Sequence, residues 1–206
     1  MKAVLVNYQY TPEWLKEYDF DYIIYDRSEE DKWLEDFPKE RIIKTENRGN
    51  VDYDKLTYLV ENYDELPAVF LWGKTNLFKY ITKEEFDEAL KTPDFKPLLT
   101  KNHKEYGDKL GPIAFYKDGM YHERNDSWYL YQHSTFFPTW QAWAETFHLP
   151  NPNYLAFPPG GNFLLTRERV HRYSRDFYDD MRSTLSYCQL PGEAQLCERT
   201  YYLLWR

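Results

Sequence analysis

The chain has 206 residues, a net charge of −8 and 29% charged side chains, with a mean hydropathy of −0.81. A chain of this length buries one core without disulfide or metal staples, so a single domain over residues 1–206 is expected. No apolar run approaches the roughly 18–20 residues of a membrane helix, the acidic balance argues against a broad electrostatic grip on nucleic acid, and Met1–Tyr8 lacks a signal-peptide core, which points to the cytosol.

In chain order, Ala3–Val6 reads as a buried strand, followed by Thr11-Pro12-Glu13 as a helix start. Tyr22–Tyr25 reads as a second strand ending at Asp26, the region around Trp33 as a short helix, and Arg41–Lys44 as a third strand. Three β-α steps in so short a stretch predict a parallel, Rossmann-like sheet. Asn47-Arg48-Gly49-Asn50 is a turn cluster leading into a helix on which Leu56, Leu59, Val60 and Tyr63 share a face. Pro67–Trp72 is a fourth strand ending at Gly73-Lys74-Thr75-Asn76. Thr82-Lys83-Glu84-Glu85 is a capping box with Ile81 and Phe86 as its staple, predicting a helix from Lys83 to about Lys91.

Beyond that helix the pattern turns antiparallel or irregular. Ile113–Tyr116 and Met120–Glu123 flank a hairpin turn at Lys117-Asp118-Gly119, and Trp128–Tyr131 reads as a further strand. Thr139–Phe147 reads as an aromatic helix, Pro158-Pro159-Gly160-Gly161 as a rigid turn, and Asn162–Leu165 as a strand capped by Thr166 into a short helix. Helices at about Asp176–Tyr187 and Glu193–Trp205 finish the chain. Cys188 and Cys197 are expected as packed thiols, and the five histidines show no metal-ligand spacing.

Several segments, taken together and in order, resemble one family. They are Glu61–Pro67, Gly73–Phe78, Asn125-Asp126-Ser127-Trp128-Tyr129, Phe157–Phe163 and Glu198-Arg199-Thr200-Tyr201-Tyr202. The family is an uncharacterised group of glycosyltransferase-like proteins found in large viruses, phages, fungi and bacteria. The resemblance covers nearly the whole chain and implies a GT-A-type mixed sheet flanked by helices, the fold of nucleotide-diphospho-sugar transferases. Such enzymes commonly hold a divalent metal with an Asp-x-Asp motif; the matching position here reads Trp72-Gly73-Lys74-Thr75-Asn76, with no carboxylate pair. The expectation is therefore metal-independent transfer, with a lysine neutralising the diphosphate, or a chain that binds without transferring.

Glycosyl transfer needs a grip on the nucleotide, positive charge for the departing diphosphate and, for inversion, a carboxylate base. In open α/β sheets ligands bind beyond the carboxyl ends of the strands, so Asn7, Tyr8, Asp26, Asn50, Asp52 and Asn76 are the candidate donor-binding residues. Turn formation by the asparagines, packing of Tyr8 and helix capping by the aspartates are the plainer readings. Lys74 is the leading cation, with Lys79 and Arg199 behind it. Glu198, flanking the Ala194, Cys197, Tyr201 and Leu204 stripe of the last helix, is the candidate base, or else an ordinary helix-surface glutamate. Asn125, Ser127 and Trp128 are candidates for the acceptor side. The expected activity is transfer of a sugar from a nucleotide-sugar donor to a glycan, a protein or a modified base in phage DNA, nucleic acid entering only as an acceptor. No residues are assigned as metal ligands, dependence on a divalent metal is left open, and no tightly bound cofactor is expected. The alternative is a non-catalytic nucleotide- or carbohydrate-binding module.

Overall fold

The computed structural model describes residues 1–100, 113–117, 119–127 and 136–206. Nine strands are defined among them: β1 (Lys2–Asn7), β2 (Asp21–Asp26), β3 (Ile42–Lys44), β4 (Val69–Lys74), β5 (Lys96–Pro97), β6 (Ala114–Lys117), β7 (Met120–Arg124), β8 (Tyr154–Phe157) and β9 (Phe163–Thr166). The α-helices are α1 (Asn50–Glu61), α2 (Lys83–Lys91), α3 (Trp140–Thr146), α4 (Arg167–Val170), α5 (Arg175–Ser183) and α6 (Glu193–Trp205).

The main sheet has the order β3-β2-β1-β4-β9-β5. Its first four strands are parallel, whereas β9 runs antiparallel to both β4 and β5. A separate antiparallel sheet has the order β6-β7-β8. The parallel sheet expected from the first half of the sequence is present, and so is the antiparallel second half. Trp128–Tyr131 lies outside the described residues.

The period-2 geometry of strands sorts the central side chains onto two cores. Val4, Val6, Phe70, Trp72, Phe163 and Leu165 face α1, α3, α5 and α6. Ala3, Leu5, Ile24, Leu71 and Leu164 face the opposite layer, made by α2 and short 3-10 turns carrying Trp14, Leu15, Leu34 and Leu77. Burial on both faces explains why β1 and β4 read as unbroken apolar runs. Much of the aromatic content is packing: Trp72 meets Tyr201 and Trp205 edge-on at 4.8 and 5.0 Å.

Local chemistry sets the helix ends. Thr82 Oγ1 accepts the Glu85 N–H at 3.2 Å, with Ile81 and Phe86 both buried as the staple. Thr166 caps α4 in the same way, accepting the Arg169 N–H at 3.4 Å. Some expectations are corrected. After Thr11-Pro12 the chain makes only a 3-10 helix, Glu13–Glu17, and Trp33 ends another, Asp31–Trp33. Helix α5 stops at Ser183 instead of running to Tyr187. Cys197 is buried as expected, but Cys188 is exposed, on a loop whose carbonyls are spent on the start of α1. No helix among the described residues is long and apolar enough to cross a membrane.

Candidate functional site

The chain leaves β1 for β2 and β3 on one side and returns to place β4 on the other, so the strand order reverses between β1 and β4. At such a switch point the loops beyond the carboxyl ends part and leave a crevice. A cleft of ≈ 320 Å³ lies there, lined by Val6, Tyr8, Lys74, Thr75 and Asn76 from the ends of β1 and β4. Arg27, Asn47, Asn50, Val51, Gln189 and Leu190 complete the lining.

One wall is the start of α1. Gly49 and Asn50 have φ of 67° and 52°, the left-handed region. A Cβ on Gly49 would stand 2.5 Å from Tyr53 Cβ and 2.8 Å from Leu185 O, so only glycine fits. This kink lets the Gly49 and Asn50 N–H groups donate to Cys188 O and Gln189 O at 2.8 and 3.0 Å, which fixes the Gln189–Leu190 wall. Asn50 and Val51, at the start of α1, line the cleft, and the Val51 N–H is taken by Asn50 Oδ1 at 2.8 Å.

Beneath the cleft, Asn7 and Asp26 act as a buried strut. Asn7 Nδ2 donates to Asp26 Oδ1 at 2.9 Å, Thr75 Oγ1 donates to Asn7 Oδ1 at 2.7 Å, and Lys44 Nζ stands 2.7 Å from Asp26 Oδ2. Four strand ends, those of β1, β2, β3 and β4, are thereby tied together. Arg27, which directly follows Asp26, is buried against Asp54 at 3.3 Å and donates to Arg48 O at 2.5 Å. Burial pushes the Asp54 carboxyl up to about 7, outweighing Arg27 and Thr45, and pulls the Arg27 guanidinium down against Asp54, Asp52 and Tyr8.

A second polar layer lies between α1, α6 and the Pro158–Asn162 turn. Asp52 is buried and accepts the Tyr201 hydroxyl at 3.0 Å; burial raises its carboxyl, with Lys55 opposing. Lys55, wholly buried, donates to Gly161 O at 2.6 Å and lies over the Trp72 ring at 4.5 Å. Burial lowers its ammonium to about 7. Glu198 Oε1 accepts the Gly160 N–H at 2.7 Å and Oε2 accepts from Arg199 at 2.8 Å. Arg199 is buried, bridges to Glu123 at 2.8 Å and covers the Phe157 ring at 3.9 Å, welding α6 to the small sheet. Ser127 donates to the same Glu123.

The structure therefore brings Tyr8, Asn50, Lys74 and Asn76 together in one cleft. Asn7, Asp26 and Asp52 are buried and do not line it. Arg199 and Ser127 sit in the Glu123 knot, and Asn125 holds a loop, donating to Pro152 O at 2.9 Å and Asn151 Oδ1 at 3.1 Å. Trp128 lies outside the described residues. Arg27, Gln189 and Leu190 were not among the sequence candidates, whereas the Asn47–Asn50 turn was expected at the crevice and does line it through Asn47 and Asn50. The strand-end rule reaches Arg27 by one further step, but nothing local in the sequence points to Gln189. Among the described residues no three His, Cys, Asp or Glu side chains group as a metal site. Comparison with known proteins finds no matching family model, no matching curated protein and no matching solved structure.

Proposed function

We propose that the protein is a glycosyltransferase of the GT-A type that takes a nucleotide-sugar donor in this cleft. The observation that carries the reading is the coincidence of the topological switch point with a cleft lined by Lys74 and by Arg27, the latter held against Asp54. Such a cluster on a molecule of net charge −8 selects a compact anion, and a diphosphate is the anion a donor of this class carries. Tyr8, 50% exposed at the mouth, offers a face for the base, while Asn50 and Asn76 offer amides to the ribose or phosphates. Lys74 neutralises the leaving diphosphate. Glu198 does not line the cleft but lies in the polar layer against the Gly160 turn, and it is the proposed base: each oxygen has one bond from Gly160 or Arg199 and keeps a further lone pair for an acceptor proton.

That engagement of both Glu198 oxygens also favours a second reading, a module that binds the nucleotide sugar without transferring it. Calorimetric titration with UDP-glucose, GDP-mannose and dTDP-glucose, alongside turnover assays, separates the two. One donor is expected to bind, Lys74→Met to weaken it by about tenfold to a hundredfold as a charge-assisted contact is lost, and Glu198→Gln to abolish turnover while sparing binding. A donor that binds but is never turned over selects the module. A flat panel refutes both readings.

A further inference from the structure

Leu190 is the most exposed large apolar side chain among the described residues, at 68%, and it lines the cleft. Its place is held firmly. The loop that carries it is bonded through Cys188 O and Gln189 O to the Gly49 and Asn50 N–H groups at 2.8 and 3.0 Å. Of the other apolar residues of the lining, Val6 is buried and Val51 half-buried, so Tyr8 and Leu190 are its two exposed apolar side chains.

Helix α1 gives the cleft a direction. Asn50 N–H bonds to the Leu190 loop, and Lys55 Nζ, five residues on, donates to Gly161 O at 2.6 Å. At 1.5 Å per residue, the two anchoring residues stand roughly 7.5 Å apart along the helix axis. Lys74 leans to the second anchor: its Nζ lies 5.6 Å from the centre of the Tyr80 ring, and a Cβ on Gly160 would stand 2.8 Å from that ring. Gly160 N–H in turn holds Glu198 at 2.7 Å. The diphosphate has to meet Lys74, and the glycosyl group has to approach Glu198. The nucleobase is then left at the Leu190 end, where it is also the flat, least polar part of the donor and the part that gains from covering an exposed leucine. We infer that Leu190 is the platform that receives the nucleobase, with the Gln189 amide beside it offering a donor and an acceptor to the base edge. This assignment rests on the nucleotide-sugar reading of the cleft. It lays the donor along α1, nucleobase at the start of the helix and sugar toward the Gly160-Gly161 turn.

Calorimetric titration of the wild type, Leu190→Ala and Leu190→Phe with UDP, GDP, dTDP and inorganic pyrophosphate tests it. An exposed side chain is exchanged without disturbing the core, and equal melting temperatures of the three chains check this. The wild type is expected to bind one nucleoside diphosphate more tightly than pyrophosphate. Leu190→Ala should weaken that nucleotide by about tenfold, the scale of one or two covered methyl groups, and Leu190→Phe should hold it as the wild type does. Pyrophosphate, which carries no base, should bind all three chains alike. A Leu190→Ala chain that keeps the wild-type affinity for the nucleotide overturns the platform. So does one that loses pyrophosphate in the same proportion, since the wall then acts on the phosphates. A wild type that binds pyrophosphate alone, or none of the four, overturns the nucleotide reading beneath, a result seen without any variant.

Discussion

Replacing Lys55 by methionine tests how the polar layer under the cleft is held. The ammonium donates to Gly161 O at 2.6 Å and lies over Trp72, and it faces Asp52, Lys74 and Glu198. Losing the hydrogen bond orphans a buried carbonyl at about 1–3 kcal/mol, and losing the ring contact adds about 1 kcal/mol. Against this stands the strain of keeping an ammonium away from water. A fall from 10.5 to about 7, at about 1.36 kcal/mol for each pH unit, sets that strain at about 4 kcal/mol at neutral pH. The two effects nearly cancel at pH 7, so the pH dependence is the sharper readout. The unfolded chain holds the Lys55 proton up to its ordinary pKa while the folded chain releases it near 7; the unfolded state thus binds more protons across this window, and stability rises with pH. Between pH 7 and 9 the wild type should gain about 2 kcal/mol from this residue. Lys55→Met should lack the gain. Above that window the buried Cys197, Tyr201 and Tyr178, all pushed up by burial, favour unfolding as pH rises and mask the effect. Urea denaturation at pH 7, 8 and 9 measures it, repeated in an Asp52→Asn background to remove the raised carboxyl opposite. Wild-type and variant stabilities that run parallel across the three pH values refute the reasoning.

Two further substitutions probe the frame of the site. Gly160→Ala places a Cβ 2.8 Å from the Tyr80 ring at φ +85°; a loss of about 2 kcal/mol is expected by thermal or urea denaturation, from a strained backbone and a displaced ring. Arg199→Met leaves the buried Glu123 without its cation, and a loss of about 3–5 kcal/mol is expected, with Glu123→Gln in the same chain restoring part of it. A double variant no more stable than Arg199→Met alone would count against the ion pair as the cause.

The parts of the fold that the sequence discloses are those whose cause is local. β1 and β4 are apolar on successive positions because both faces are buried, and Thr82, Ile81 and Phe86 announce α2 within the six residues Ile81–Phe86. β5 escaped because Lys96-Pro97 carries a proline and owes its pairing to β9, far along the chain. The same division holds at the site. Lys74, Asn76, Tyr8 and Asn50 follow from the strand-end rule, since the sheet aims them. Glu198 and Arg199 stand on the helix the pattern predicts, but their partners Gly160 and Glu123 are remote in sequence, and no periodicity records them. Nor does any pattern show that Gln189 and Leu190 close the cleft, because the contact is made by backbone carbonyls reaching the kink at Gly49.

The position of β9 also bears on how the chain is made. Val69 pairs with Thr166, and Trp72 with Phe163, so the strand beside β4 is supplied by the last third of the sequence. While the ribosome is still building the segments between them, the β4 edge carries Phe70, Leu71 and Trp72 with one row of backbone groups unmatched. An apolar edge left open for that interval is a template for pairing with another nascent chain. Ribosome-bound intermediates that end before Phe163 are thus the stage most exposed to aggregation, and once β9 arrives that edge is covered and the Asn162 amide is seated against Lys74 in the same movement.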